Sequence, residues 1–423
     1  MNIMVIKSKV PYPLNQGTNI VSYNIIKALC KEHDVTLVTM VNNSGDEKNI
    51  KQMTKLCKNV YWVYAPNKRN TASKIFYKLL YTFLSIVTLK PIGAYYSCPP
   101  EMCRLVRKIT SKERFDLVQV EYTEMAGIAM HINCDKKILL KHDIDYLTIK
   151  RAAENQKNFL KKQWLLIKSK LRKAYELRVN KEFSHLLVLS EKDKMEFEKN
   201  SKGLKLEAIN TMYSFKPRLC ESRIREKSII FIAALGAYFN NDAILYFIED
   251  IFPFILKKEP SIKLYVVGRE PSKQLQNYND NKNIIVTGMV EDVSEYMCKA
   301  GAFIVPMRIG TGIKVKIVEA LSYSMPIVST SIGAEGVGGL MDGENILIAD
   351  TPEEFANKVL SVVNDEKLER KLSDNAYKLY SNEYYIENAY KRLISTYENI
   401  NTGRSGKSMQ KGVNRDDPYS VYN

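Results

Sequence analysis

Between Pro306 and Glu319 the chain reads PMRIGTGIKVKIVE, and the order of its polar residues describes an anion site. The loop over residues 307–312 holds Gly310 and Gly312 beside Arg308 and Thr311, and follows an apolar run ending at Pro306. Glycines let backbone amides approach a diphosphate, and the amino end of the helix predicted from about Ile313 adds partial positive charge. Lys314 and Lys316 come next and can neutralise phosphate, while Glu319, about one turn after Lys316, can accept hydrogen bonds from ribose hydroxyls. Anion first and sugar next is the order a nucleotide presents. A second reading stays open: an ordinary βαβ turn in which Lys316 and Glu319 form a surface ion pair at i, i+3. His142, one of four histidines, is open to a structural role at a strand end as well as a catalytic one.

These residues need a scaffold, and the chain supplies one twice. Strands are predicted at residues 2–6, 34–39, 60–64, 117–121, 137–140 and 185–189, with helical patterns such as 21–31 between them. A second series follows at 228–233, 263–267, 284–286, 302–305, 327–330 and 346–348. Strands alternating with helices imply α/β domains, each a parallel sheet covered on both faces. The expected organisation is a first domain over 1–211, a linker over 212–227 and a second domain over 228–382. A helix over 383–400 is expected to pack back on the first domain, and a disordered tail over 401–423 to follow. Ligands of such folds bind at the carboxyl ends of the strands, so a cleft between two such domains is the expected site.

The segment from Val286 to Gly336 resembles the donor-binding half of the family 4 glycosyltransferases of GT-B fold, in the branch reading PLRIGGGTRLKILEA…G.PVVST..GAEG. The resemblance covers about the first 400 residues. PYPLNQGTNIVSYNIIKAL, from Pro11, resembles the glycine-rich loop after the first strand, and KHDIDYLTIKR, from Lys141, resembles the HN-x-E segment whose histidine lies near the transferred sugar. ALGAYFNNDAILYFIEDIFP and LYVVGRE match the opening strands of the second domain. The resemblance implies two Rossmann-like domains facing each other across a cleft, with His142 and Glu319 as catalytic residues. It implies Gly17, Gly288, Arg308, Gly310, Thr311, Gly312, Lys314, Lys316, Glu319 and Gly336 around a nucleotide sugar donor. It also implies transfer with retention of configuration, no cofactor and no metal. Asp143 and Asp145 spell a DxD pattern, but they follow His142 and match the metal-free segment better.

Several positions depart from the wider family. The first of its two glutamates is Thr311, the second glycine of the amino-terminal loop is Thr18, and Ala237 and Asn241 stand where many members carry an Arg and a Lys. Phosphate neutralisation then falls more heavily on Arg308, Lys314 and Lys316.

The net charge of +16 is unevenly spread. Residues 1–220 hold 39 Lys or Arg against 20 Asp or Glu, a balance of +19, and the rest of the chain stands at −3. Residues 51–100 hold eight basic and no acidic residues, with an apolar stretch over 74–90, and residues 157–182 form a second basic amphipathic pattern around Trp164. Such elements are expected to rest on an anionic membrane surface, the alternative being that their apolar faces pack in the first-domain core. No apolar run approaches the ~20 residues of a membrane span. The protein is therefore expected in the cytoplasm, peripheral on the inner face of the membrane, acting on a glycan or lipid-linked acceptor in cell-surface polysaccharide synthesis. The seven scattered cysteines suggest buried thiols rather than a disulfide framework or a zinc site. A nucleotide-sugar epimerase of the same fold and a basic nucleic-acid-binding protein are the competing readings. No nucleic-acid-binding motif supports the latter, and no nucleic acid is expected as a partner.

Overall fold

The computed structural model describes residues 1–14, 16–41, 44–66, 71–200, 203–209, 211–218, 227–310 and 313–403. Residues 219–226 of the expected linker and 404–423 of the expected tail lie outside the described residues, as do Thr311 and Gly312.

The first sheet has strands β1 (Asn2–Ile6), β2 (Asp34–Val41), β3 (Asn59–Tyr64), β4 (Leu117–Glu121), β5 (Lys137–Lys141), β6 (His185–Val188) and β7 (Lys205–Ala208). They lie in the order β3-β2-β1-β4-β5-β6-β7. The second has β8 (Ser228–Ile232), β9 (Lys263–Val267), β10 (Ile284–Gly288), β11 (Ala302–Val305), β12 (Ile327–Ser329) and β13 (Leu347–Ile348), in the order β10-β9-β8-β11-β12-β13. Every pairing in both sheets is parallel. Central strands such as β1 and β11 are apolar and buried along nearly their whole length, as strands covered on both faces must be.

Strand order reverses between β1 and β4 in the first sheet and between β8 and β11 in the second, and crevices open at such switch points. The loops after β1, β5, β8 and β11 therefore converge on one cleft. The final helix, Ile386–Thr402, packs on the helix Gly17–Leu29, and the buried Tyr397 hydroxyl donates to Oε1 of Gln119 in β4. Among the cysteines, Cys30, Cys57, Cys98, Cys103 and Cys134 are free. Cys298 is disulfide-bonded, contrary to the expectation of thiols throughout.

Candidate active site between the two sheets

The cleft has a volume of about 1600 Å³ and is lined from both halves, by Gly17, Thr18 and His142 on one side and by Ala237, Gly310, Lys314, Lys316 and Glu319 on the other. On the second-domain side, β11 leads into the loop that the sequence singled out. The Thr330 hydroxyl donates to the carbonyl of Met307 and accepts from the amide of Gly333, tying that loop to the end of β12. The helix Val315–Ser322 then begins with Lys314 at its cap and its amino end toward the cleft.

Lys316 Nζ donates to Oδ1 of Asn240 at 2.6 Å and lies 4.7 Å from the centre of the Phe231 ring. Asn240 is fixed by donating from Nδ2 to the carbonyl of Ala234 at 2.9 Å, so its oxygen faces the ammonium. The Lys316–Glu319 ion pair allowed by the spacing is not formed. Among the described residues the Glu319 carboxylate has no hydrogen-bond or ion-pair partner. Burial pushes Glu319 up to about 7, and burial together with the charge of Lys314 pushes Lys316 down to about 7. Lys314 is brought down to about 8 by burial, against the pull of Glu335, Asp143 and Asp193. The second-domain wall thus holds a recessed carboxylate and two recessed ammonium groups, whose charged forms burial disfavours.

Across the cleft, His142 directly follows β5 and is buried. Its Nε2 lies 3.2 Å from Oε2 of Glu121, the last residue of β4, and its ring stacks on Tyr122 with centroids 4.4 Å apart. Lys7, just past β1, places Nζ 3.1 Å from that same carboxylate oxygen, 2.8 Å from Ser22 Oγ and 2.9 Å from the Tyr122 hydroxyl. The Ser22 hydroxyl also donates to Glu121 Oε2. Burial alone would raise the Glu121 carboxyl, but Lys7 and His142 hold it at about 2. Burial pushes His142 down, so the ring is neutral at pH 7. In the neutral ring Nε2–H donates to Glu121, which leaves Nδ1 as the acceptor. Lys7, Ser22, Glu121 and Tyr122 were not read from the sequence. The available signal was a charged residue at or just past the end of each of two mostly apolar strands.

The remaining expected site residues fall as follows. Gly17 opens its helix against the other domain, and a Cβ there would sit 2.8 Å from Cγ2 of Val315, so the two helix starts approach only with glycine at this position. Gly310 has φ of 130°, and its carbonyl accepts from Arg151 of the first domain. Arg151 also holds Glu335 (Nη2–Oε1 2.9 Å), which Lys192 reaches at 3.0 Å. These contacts join the two halves beside the cleft. Arg308 does not line the cleft: its guanidinium is bound to Asp242 at 2.8 and 3.3 Å and lies over the Tyr246 ring, so its charge is already matched. Gly288 and Gly336, with φ of 70° and 87°, turn the chain near the cleft without lining it. Asp143 lines the cleft and its carboxyl is raised to about 7, by desolvation first and then by Asp145. Asp145 itself is taken by Arg172, with Nε at 3.1 Å. Among the described residues no three His, Cys, Asp or Glu gather in a way that would hold a metal.

Residues 226–365 match the family described as glycosyl transferases group 1. The whole chain is 25% identical, over 404 residues, to an uncharacterized 44.6 kDa protein in the cps region of Klebsiella pneumoniae, spanning 93% of this chain and 98% of that one. Among solved structures, the sucrose-phosphate synthase of Thermosynechococcus elongatus is similar with a TM-score of 0.68 at 12% identity, over 95% of this chain and 99% of that one. Anabaena HepE, solved with UDP and glucose, is similar with a TM-score of 0.61 at 12% identity, over 94% and 99%. TarM is similar with a TM-score of 0.67 at 11% identity, over 95% and 98%. The structural likenesses speak for the two-sheet GT-B architecture, and residues 226–365, the stretch that carries Lys316 and Glu319, are similar to the group 1 glycosyl transferases.

Proposed function

We propose that the protein moves a sugar from a nucleoside diphosphate sugar to a glycan or lipid-linked acceptor in cell-surface polysaccharide synthesis, with retention and without a metal. The observation that carries this reading is the unpartnered Glu319 carboxylate one turn from Lys316, at a helix amino end facing the cleft. Lys314 and Lys316 match a diphosphate, and Glu319 matches the hydroxyls of the attached ribose. In the transfer, the bond from the sugar C1 to the phosphate oxygen breaks and a bond to the acceptor oxygen forms. The acceptor proton leaves with the departing diphosphate, whose charge the two lysines stabilise. His142 faces this reaction from the other wall and helps to hold the sugar in place.

The cps-region relative and the UDP found with HepE support a uridine nucleotide and a polysaccharide product. The basic, apolar first-domain helices support work at an anionic membrane surface on its inner, cytoplasmic face. The test is a panel of nucleotide sugars screened by thermal shift, followed by product analysis with cell-envelope acceptors and assignment of the anomeric configuration by NMR. Transfer with retention that survives a chelator is expected. Conversion of the donor in the absence of any acceptor would instead indicate an epimerase.

A further inference from the structure

The cleft is larger than the ~300 to 1,000 Å³ of most small-molecule sites, and its first-domain end is unlike the donor end. One wall there is the bend between the helices Thr71–Thr88 and Ile92–Ser97, which presents Ile86, Leu89 and Ile92; the other is the helix Phe159–Asn180, which presents Trp164, Ile167 and Leu171. All six are exposed, Ile86 at 69% and Ile167 at 60%. The bend is fixed rather than loose. Ser85 Oγ donates to the Lys90 carbonyl at 2.7 Å, the Lys90 amide donates to Thr88 Oγ1 at 3.3 Å, and the same Oγ1 lies 2.7 Å from the Tyr95 hydroxyl. Leu89 is held in the left-handed region with φ of 54°, a conformation that costs a non-glycine residue about 1 to 2 kcal/mol and that here turns an apolar side chain outward. Two ammonium groups sit among these walls. Lys90 rests 4.9 Å from the Tyr95 ring centre and Lys168 5.0 Å from that of Trp164, and among the described residues neither pairs with a carboxylate.

We infer that this end of the cleft binds the acceptor as a single amphiphile, an apolar isoprenoid-like chain between the two walls with its phosphate or diphosphate at Lys90 and Lys168. Apolar walls suit the chain, and the two unpaired cations suit an anion where the chain ends. The groove is continuous with the space in front of His142, so a sugar carried on the phosphate would extend toward the donor. The inference rests on the transferase reading and deepens it by naming the acceptor class.

The chain has two tryptophans, Trp62 on β3 and Trp164 in the groove, so a Trp62→Phe variant of the full chain reports the groove alone. Farnesyl diphosphate, kept below its micelle concentration, serves as probe, with inorganic diphosphate, farnesol and phosphatidylglycerol vesicles as comparison arms. The expected result is a saturable blue shift of Trp164 emission with farnesyl diphosphate, no shift with inorganic diphosphate, and at least tenfold weaker binding of farnesol. Lys90→Gln/Lys168→Gln should weaken the farnesyl diphosphate response tenfold or more and leave the farnesol response unchanged. An equal response to inorganic diphosphate, or none to farnesyl diphosphate, would overturn the assignment. A farnesyl diphosphate response that survives Lys90→Gln/Lys168→Gln and that vesicles reproduce in full would overturn it too, and would give the patch to the membrane. UDP calorimetry on the same samples reads the donor site independently, so a failed groove is distinguishable from a failed transferase.

Discussion

Oε2 of Glu121 lies 3.1 Å from Nζ of Lys7 and 3.2 Å from Nε2 of His142, so one buried carboxylate neutralises a buried ammonium and orients the ring that faces the cleft. The Glu121 carboxyl is held at about 2, well below the 4.5 of a free glutamate. A depressed value means that folding favours the ionised form, so this stabilisation is complete above pH 4.5 and is lost as pH falls toward 2. Its size is about 3 kcal/mol. Glu121→Gln removes the charge and strands Lys7, at a cost of about 3 to 5 kcal/mol at pH 7. Urea unfolding from pH 7 down to 3 measures both. The variant should start less stable and lose less on acidification, and parallel curves would remove this carboxylate from the acid dependence.

His142→Ala should abolish most turnover and leave nucleotide binding nearly unchanged. The groups proposed to hold the nucleotide are on the second domain, whereas His142 projects from the first, after β5. Calorimetry with UDP and a transfer assay separate the two effects. A variant with wild-type turnover would take the histidine out of the reaction and leave it a packing role against Tyr122.

Lys314 and Lys316, brought down to about 8 and about 7, are largely uncharged at pH 8.5 in the empty cleft. A bound diphosphate favours their charged forms, so binding at that pH must draw in protons, about one to two per nucleotide. Calorimetry in two buffers of different ionisation enthalpy should show this uptake at pH 8.5 and little of it at pH 6. Lys316→Ala should remove part of the uptake and weaken binding by about 1.5 to 3 kcal/mol. Enthalpies independent of buffer at pH 8.5 would show that these lysines do not meet the phosphates.

Much of this scaffold was legible because local pattern and burial agree. Twelve of the thirteen strands were expected within a few residues of where they lie. The strand that was missed, β7, is a four-residue edge strand reading KLEA, whose charges protect an exposed edge and erase the apolar signal. The helix Val315–Ser322 at the cleft was legible for the same local reason. Partners brought together by the fold were not. Nothing near Arg308 shows that Asp242, 66 positions upstream, takes its charge, and nothing near Lys316 points to Asn240. The tie from Tyr397 to Gln119 spans 278 positions. The exposure of Phe76, Leu79 and Phe83 was also a choice between two readings, and the structure decides it against packing in the core.

The ion pair between Arg151 and Glu335 joins the two halves beside the cleft, and the same arginine also holds the carbonyl of Gly310. Arg151→Met should therefore loosen the closed arrangement without unfolding either half. Small-angle scattering should give a larger radius of gyration for the variant alone, and a return toward the parent value on adding UDP. Identical scattering from parent and variant, with and without nucleotide, would show that this pair does not hold the halves together.

The last expectation concerns two exposed stripes. Phe76, Leu79 and Phe83 recur at helical spacing along Thr71–Thr88, and Leu160, Trp164 and Ile167 do so along Phe159–Asn180. Among the described residues no helix is long and apolar enough to cross a membrane, so the stripes suit a surface contact rather than a span. Apolar stripes set among lysines in the half that carries a balance of +19 are the features of an interfacial element on anionic lipid. Each lysine near such a surface contributes about 1 kcal/mol, so Lys161→Ala/Lys162→Ala should weaken attachment about thirtyfold, and 0.5 M salt should release most of the protein. Phe83→Ser/Leu160→Ser should weaken binding as well but leave its salt dependence, since it removes buried apolar area and no charge. Co-sedimentation with phosphatidylglycerol and with phosphatidylcholine vesicles across a salt series measures all three. Equal binding to both lipids, or to neither, would assign the stripes to a protein partner or to the acceptor, and would leave the nucleotide side of the cleft untouched.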